Sequence, residues 1–264
     1  EQVAFSISVD FVLGASMNIA REPSHTKNDD DLSNQSLGTL VAQKPLRAKI
    51  FDEFGLDFCC GGKQSLNEAC IKNGVDLTQV LKRLLENEQI TVIEKNWNDA
   101  TLNELIDNIE STHHQYLKTE LPRLHILAEK VARVHGEKAP EMVTVAKVFS
   151  EFKKELEHHT AKEELVLFPY IRKLEKEKLH VSSPFGTIAN PIRCMESEHE
   201  NAAQMLQKMR ELTNKYSPPE HACASWKALL GGLAHLDIDL RIHIHKENSI
   251  LFPVAMQLEK DSTN

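Results

Sequence analysis

The chain predicts an all-α protein, an up-down-up-down four-helix bundle preceded by a small helical amino-terminal domain. Two observations carry this. Among 264 residues there are only 10 Gly, 10 Pro and 6% aromatics, a balance that favours helices over a sandwich or a nucleotide-binding sheet. From 101 to 258, four long amphipathic patterns follow one another with short breaks near Gly136 to Pro140, His180 to Pro184 and Ser217-Pro218-Pro219, the spacing of a simple bundle.

Residues 1–35 read as an irregular lead-in, polar and without apolar period from Arg21 to Gln35. The apolar run 3–20 does not read as a secretory signal, since Glu1 opens it, Asp10 interrupts it and it has no basic start; Met17 is a candidate internal start. Residues 36–88 form a small domain of three or four short helices, punctuated by Pro45, Gly55, Gly61-Gly62 and Asn73-Gly74. Asp76 with Gln79 resembles a capping box for its last helix. Residues 89–100 lack helical period and serve as a linker. Thr101-Leu-Asn-Glu104 is a capping box that opens the bundle, 101–258, and 259–264 is a tail.

Composition excludes several classes of function. With 31 Lys and Arg against 39 Asp and Glu the net charge is −8, which argues against nucleic acid or an anionic membrane as partner. No stretch has the roughly 18 uncharged apolar residues of a bilayer span. The five cysteines, Cys59, Cys60, Cys70, Cys194 and Cys223, are odd in number and irregular in spacing, which reads as a reducing compartment, the cytoplasm.

The second and fourth bundle helices share a motif. His159-Thr-Ala-Lys-Glu163 precedes Phe168-Pro169, and His243-Ile-His-Lys-Glu247 precedes Phe252-Pro253. On an α-helix residues i and i+4 lie one turn apart on one face, so each His-Glu pair is a two-pronged chelator. Both pairs fall on the apolar stripes of their helices, defined by Val145, Val148, Phe152, Leu156, Val166 and Tyr170, and by Leu229, Leu236, Leu240, Ile250 and Val254. A buried carboxylate without a partner costs several kcal/mol, so a proton or a cation must neutralise it.

The third helix adds His199 to the same level, within the stripe of Ile192, Met195, Ala203 and Leu206. The first adds His113 or His114. Periodicity favours His113, near the centre of the stripe through Leu102, Ile106, Ile109 and Leu124, with His114 at its margin. About four imidazoles and two carboxylates are too many for one zinc ion but fit two octahedral ions, with imidazole and carboxylate together suiting iron. The remaining positions would take a bridging oxo or hydroxo group and two exchangeable ligands. His25, His125, His135, His158, His180, His221, His235 and His245 read as surface or helix-end residues, and Met195, Met205 and Met209 as packing.

The repeat, with Met195-Glu-Ser-Glu-His199 between its copies, resembles a hemerythrin-like domain. Leu56-Asp-Phe-Cys59-Cys60-Gly61-Gly62-Lys63 resembles the signature of the short amino-terminal domain of the repair-of-iron-centres family, the iron-sulfur cluster repair di-iron proteins. The resemblance covers roughly 36–258 and implies a carboxylate-bridged di-iron centre. Its first-helix ligand stands eight residues before the Pro of a Leu-Pro pair, which selects His114 ahead of Leu121-Pro122; the Pro122 kink would disturb the periodicity count. The implied metal ligands are His114, His159, Glu163, His199, His243 and Glu247, with Glu198 beside the centre to guide iron exchange.

The family implies repair of iron-sulfur clusters damaged by nitric oxide or peroxide, with damaged clusters or a cluster scaffold as partner and a homodimer as one possible state. A di-iron nitric oxide or peroxide reductase and an oxygen or redox sensor are the alternatives. Adjacent Cys59 and Cys60 rarely close a strain-free disulfide, so they read either as a redox or metal-relay pair or as reduced, partly buried thiols at a helix end. Cys70, Cys194 and Cys223 read as core or surface thiols.

Overall fold

The structure, a computed structural model, describes residues 27–87, 96–177 and 185–262; His25, His180, Pro184 and most of the 89–100 linker lie outside them. Among the described residues every regular element is helical, with one isolated bridge between Ser36 and Ser65. The first helix, α1 (Lys27–Asn34), falls in what the sequence reads as an irregular lead-in. Its one buried apolar side chain, Leu32, joins the core below, too sparse a signal for periodicity to register.

The small domain follows. Ser36 caps α2 (Leu37–Gln43) by accepting from Thr39 N at 3.1 Å. After α3 (Arg47–Glu53) comes α4 (Leu66–Asn73), opened by a Ser65/Glu68 capping box and closed by Gly74 at φ 65°, a conformation that suits glycine. At α5 (Leu77–Asn87) Asp76 accepts from Thr78 N at 2.9 Å. The Gln79 amide bonds the Asp76 side chain instead of its backbone N–H, so the reciprocal half of the expected box is not made.

Four long helices make the bundle. Helix α6 spans 102–135, opened by the Thr101/Glu104 capping box, and α7 spans 140–177 with Pro140 in its first turn. Helix α8 is Ala189–Leu212, and α9 spans 224–262. They close a ring in which α6 touches α7 and α9, and α8 touches α7 and α9. Three of the four are interrupted by a π turn, at Ile109–His114, Glu163–Leu167 and Glu247–Leu251. In α7 and α9 a proline, Pro169 or Pro253, follows two residues later. It has no N–H to give and its ring presses on the carbonyl four residues back, which favours the widened turn.

These turns mark one level of the bundle at which the apolar core is interrupted. On one side lie Leu117, Phe152, Leu156, Ala202, Leu206 and Leu240, continuous with the small domain's core. On the other lie Ile106, Ile109, Phe168, Ile192, Leu251 and Phe252. The small domain docks on α8 and α9. Asp52 meets Arg210 at 2.9 Å and Arg241 at 2.6 Å, and α2 packs on the α9 π turn.

Candidate metal centre

The polar level between the two apolar blocks holds His114 from α6, His159 and Glu163 from α7, His199 from α8, and His243 and Glu247 from α9, all buried. Their ligand atoms gather into two groups that share both carboxylates: His114, Glu163, His243 and Glu247, and His159, Glu163, His199 and Glu247. Glu163 turns Oε2 to His114 Nε2 at 3.4 Å and Oε1 to His159 Nε2 at 3.3 Å. Glu247 turns Oε1 to His243 Nε2 at 3.0 Å and Oε2 to His199 Nε2 at 3.2 Å. Each carboxylate therefore presents one oxygen to each histidine pair.

Within the pairs the ring nitrogens face each other, His114 and His243 Nε2 at 3.2 Å and His159 and His199 Nε2 at 3.0 Å. The opposite nitrogens explain why this points to a cation. His114 Nδ1 donates to Glu164 at 2.9 Å, His159 Nδ1 to Glu198 at 2.9 Å and His199 Nδ1 to Asn248 Oδ1 at 2.9 Å. With Nδ1 protonated, the neutral imidazoles turn their Nε2 lone pairs inward. Both oxygens of Glu163 and Oε2 of Glu247 are buried without a hydrogen-bond donor. Lone pairs converging from nitrogen and carboxylate oxygen in a dry site fit a metal ion.

Without metal, protons take over part of this role. Burial works against a charged His159, but Glu163, Glu198 and Glu247 outweigh it and hold the imidazolium up at about 10. Burial likewise opposes a charged His114, yet Glu163 and Glu247 raise it. His243 goes the other way: burial, with His114 and His113 nearby, pushes it down to about 4. Glu247 is pulled well below the carboxylate range by His243 and His199 against the cost of burial. Glu198, at the edge of the site, is held down to about 2 by the His159 hydrogen bond, against a burial cost, and by Lys162, with which it pairs.

The structure brings together all six residues that the resemblance selects, and His114 rather than His113 points into the group. His113 is buried too, but its Nδ1 meets Asp239 Oδ1 at 2.9 Å, its Nε2 meets Lys246 at 2.9 Å, and its ring stacks on His243. The π turn at 109–114 is the reason: it inserts one residue and advances the helix face by about 100°. Pro122 stands beyond it and is not the cause. His245, read as a surface or helix-end residue, is buried where the small domain covers α9, its ring 6.0 Å from Phe58. Met195 and Met209 lie in the core, and Cys194 and Cys223 are exposed.

Cys59 and Cys60 are free, with Sγ atoms 3.9 Å apart, on a loop held by Asp57, whose carboxylate accepts from the backbone N–H of Cys59, Cys60 and Gly61. Cys59 is buried, and the Cys60 hydrogen bond, burial and Asp57 push its thiol well above the ordinary value, which keeps it protonated. Of the relay pair that the sequence suggests, Cys60 is therefore the more accessible. The supporting residues Glu164 and Asn248 are absent from the sequence reading. Each directly follows a motif glutamate, so the repeat contains them as a polar residue after Glu163 and Glu247.

The fold and site together define a helical-bundle cation-binding protein. The family described as "Hemerythrin HHE cation binding domain" matches residues 104–255, and "Domain of Unknown function (DUF542)" matches 33–88. The chain is 40% identical over 227 residues to the iron-sulfur cluster repair protein YtfE of Dickeya chrysanthemi, covering 86% of this chain and 98% of the relative. It is 39% identical to the protein of that name from Yersinia pseudotuberculosis over 87% of this chain and 100% of the relative. A probable iron-sulfur cluster repair protein of Haemophilus influenzae is 38% identical, over 84% and 96%. The chain belongs to the hemerythrin HHE cation-binding family and, within it, to the iron-sulfur cluster repair proteins. Among the described residues no helix is long and apolar enough to cross a membrane.

Proposed function

We propose that this chain is a cytoplasmic di-iron protein that serves the repair of iron-sulfur clusters by holding iron between its four bundle helices and yielding it to a damaged cluster protein. One observation carries this reading: two buried carboxylates each offer one oxygen to each of two histidine pairs. His114 and His243 would hold one ion and His159 and His199 the other, with Glu163 and Glu247 shared. When bound, the ions supply one-electron redox chemistry and Lewis acidity.

The rest falls to the chain. Phe168 stacks on His114 and Phe252 on His199, which keeps water from the imidazoles. Glu164, Glu198 and Asn248 fix which nitrogen of three histidines faces inward. Glu198 also favours release. A proton arriving at His159 Nε2 can replace a departing cation, and Glu198 stabilises the imidazolium so formed. Its side chain is 31% exposed, so it stands between the site and solvent.

The test begins with metal content. The purified chain is expected to carry about two irons, and His159→Ala to lose them. Mixed with a metal-free iron-sulfur acceptor, inorganic sulfide and a thiol reductant, the loaded protein is expected to supply the iron that restores the cluster, more slowly with Glu198→Leu. Zinc in place of iron, fewer than about one iron per chain, or an acceptor left empty would overturn the proposal.

A further inference from the structure

Among the described residues, a polar link between the cysteine loop and a histidine of the site runs through Asn248. Its Oδ1 accepts from His199 Nδ1 at 2.9 Å, and its Nδ2 donates to the carbonyl of Cys59 at 3.4 Å. We propose that Asn248 is a positioning residue through which the Cys59-Cys60 loop and metal occupancy at His199 control each other. The inference rests on the two-ion reading above.

The logic lies in the two unlike ends of an amide. A backbone carbonyl can only accept, so Cys59 takes the NH₂ end and turns Oδ1 toward His199. That oxygen can only accept as well, so His199 must carry its proton on Nδ1 and direct the Nε2 lone pair at the centre. The small domain thereby sets which nitrogen of a bundle histidine is available. The other three differ. His114 and His159 are oriented by Glu164 and Glu198 within the bundle, and His243 Nδ1 is buried with no partner.

Close packing of the small domain flanks this bond. Asn248 and Ser249 sit in the α9 π turn, and Gly38 and Gly62 let the small domain close on it. A Cβ on Gly38 would lie 2.6 Å from Ser249 Oγ, and one on Gly62 would lie 3.3 Å from the same atom. Gly38 N also bonds Gly62 O at 2.8 Å. Cys59, Cys60, Asn248 and Ser249 line a cavity of about 80 Å³ at this junction. A cation that immobilises His199 immobilises Asn248 and, through it, Cys59. By linkage, a lifted loop must weaken the hold on that cation by the same factor.

Cys59 is 2% exposed, so its thiol reacts only when the loop lifts. The experiment treats the full chain with iodoacetamide, iron-loaded and chelated, and follows Cys59 by peptide mass spectrometry. Loading is expected to slow Cys59 modification roughly 5- to 20-fold, at the lower end of ordinary allosteric coupling, while exposed Cys223 is unaffected. Asn248→Asp still accepts from His199 but offers Cys59 no donor. It is expected to hold iron and to lose the effect of loading on Cys59, which a space-filling role would preserve. Asn248→Leu, lacking both bonds, is expected to lose iron and the effect together.

Equal Cys59 rates in the loaded and chelated wild type, at full iron content, overturn the coupling and leave the two-ion reading standing. So does an undiminished effect in iron-loaded Asn248→Asp. A wild type that takes up no iron fails the two-ion reading itself, and this inference with it.

Discussion

Replacing Glu247 with leucine should act in opposite directions on the two forms of this protein. Glu247 is fully buried, with Oε1 3.0 Å from His243 and Oε2 3.2 Å from His199. In the metal-free chain its negative charge also stands against that of Glu163, opposing the pull of His159 and His114 that holds Glu163 below the ordinary carboxylate value. Leucine has a similar volume, relieves that repulsion and needs no donor, while His243 is already neutral near pH 7. Glu247 also helps to hold His159 and His114 charged, but His159 keeps Glu163 and Glu198 as partners and His114 keeps Glu163 and Glu164. With no charge left unpaired, the change escapes the about 3–5 kcal/mol cost of an orphaned buried charge, so the chelated variant should melt no lower than the chelated wild type.

Loading should reverse the order. Metal at about 100 times its dissociation constant stabilises the folded state by about 2.7 kcal/mol. For a chain of this size each kcal/mol is worth roughly 2–4 °C, so the wild type should gain about 5–11 °C. The variant lacks one of the two shared carboxylates and should gain less than about 2 °C. Differential scanning calorimetry with ferrous iron and with chelator reads all four numbers. A chelated variant that melts far below its wild type, together with an undiminished gain on loading, would show that Glu247 serves the fold and not the ion.

Asp52 gives a pH prediction. Burial raises its pKa, but Arg241 and Arg210 overcome this and hold it below the free carboxyl value of 3.8. The stabilisation is complete above that value and drains away as pH falls through the folded value, because the unfolded chain binds the proton first. Asp52→Asn should therefore be less stable than wild type near neutrality and converge with it in acid; a gap that persists unchanged at low pH refutes the pairing. Gly38→Ala should lose about 1–3 kcal/mol in urea unfolding, as its Cβ would meet Ser249 Oγ at 2.6 Å, and Ser249→Gly should restore part of it. Thr101→Ala removes the α6 cap and should cost about 1 kcal/mol while iron content stays the same.

The long helices and the paired histidine and glutamate positions are legible in the sequence because both depend on spacing along a regular helix. His159, Glu163, His199, His243 and Glu247 all lie on predictable stripes, and the structure gathers them at one level. Spacing fails where the helix is irregular. The π turn ahead of His114 shifts the phase, so a count at 100° per residue selects His113, and only the Leu121-Pro122 resemblance selects His114. Tertiary contacts are invisible to any periodicity. His245 reads as outward because its cover comes from Phe58, far away in sequence, and Asn248 gains its role only where the cysteine loop lands. In α1, Leu32 is the one apolar residue, too little for a periodic pattern to register.

The polar level that divides the bundle's apolar side chains also divides its cooperativity. Ile106 and Ile109, Phe168, Ile192, and Leu251 and Phe252 form an end block set apart within the bundle by six histidine and glutamate side chains, with Ala42 of the small domain packed onto it. When no cation joins those side chains, the end block is expected to open on its own, with amide hydrogens there exchanging sooner than those around Phe152 and Leu240 in a hydrogen-exchange measurement. A bound cation ties four helices at the seam, and the two blocks then open as one unit. A cation site in the middle of the bundle thus also governs how many pieces the protein comes apart in.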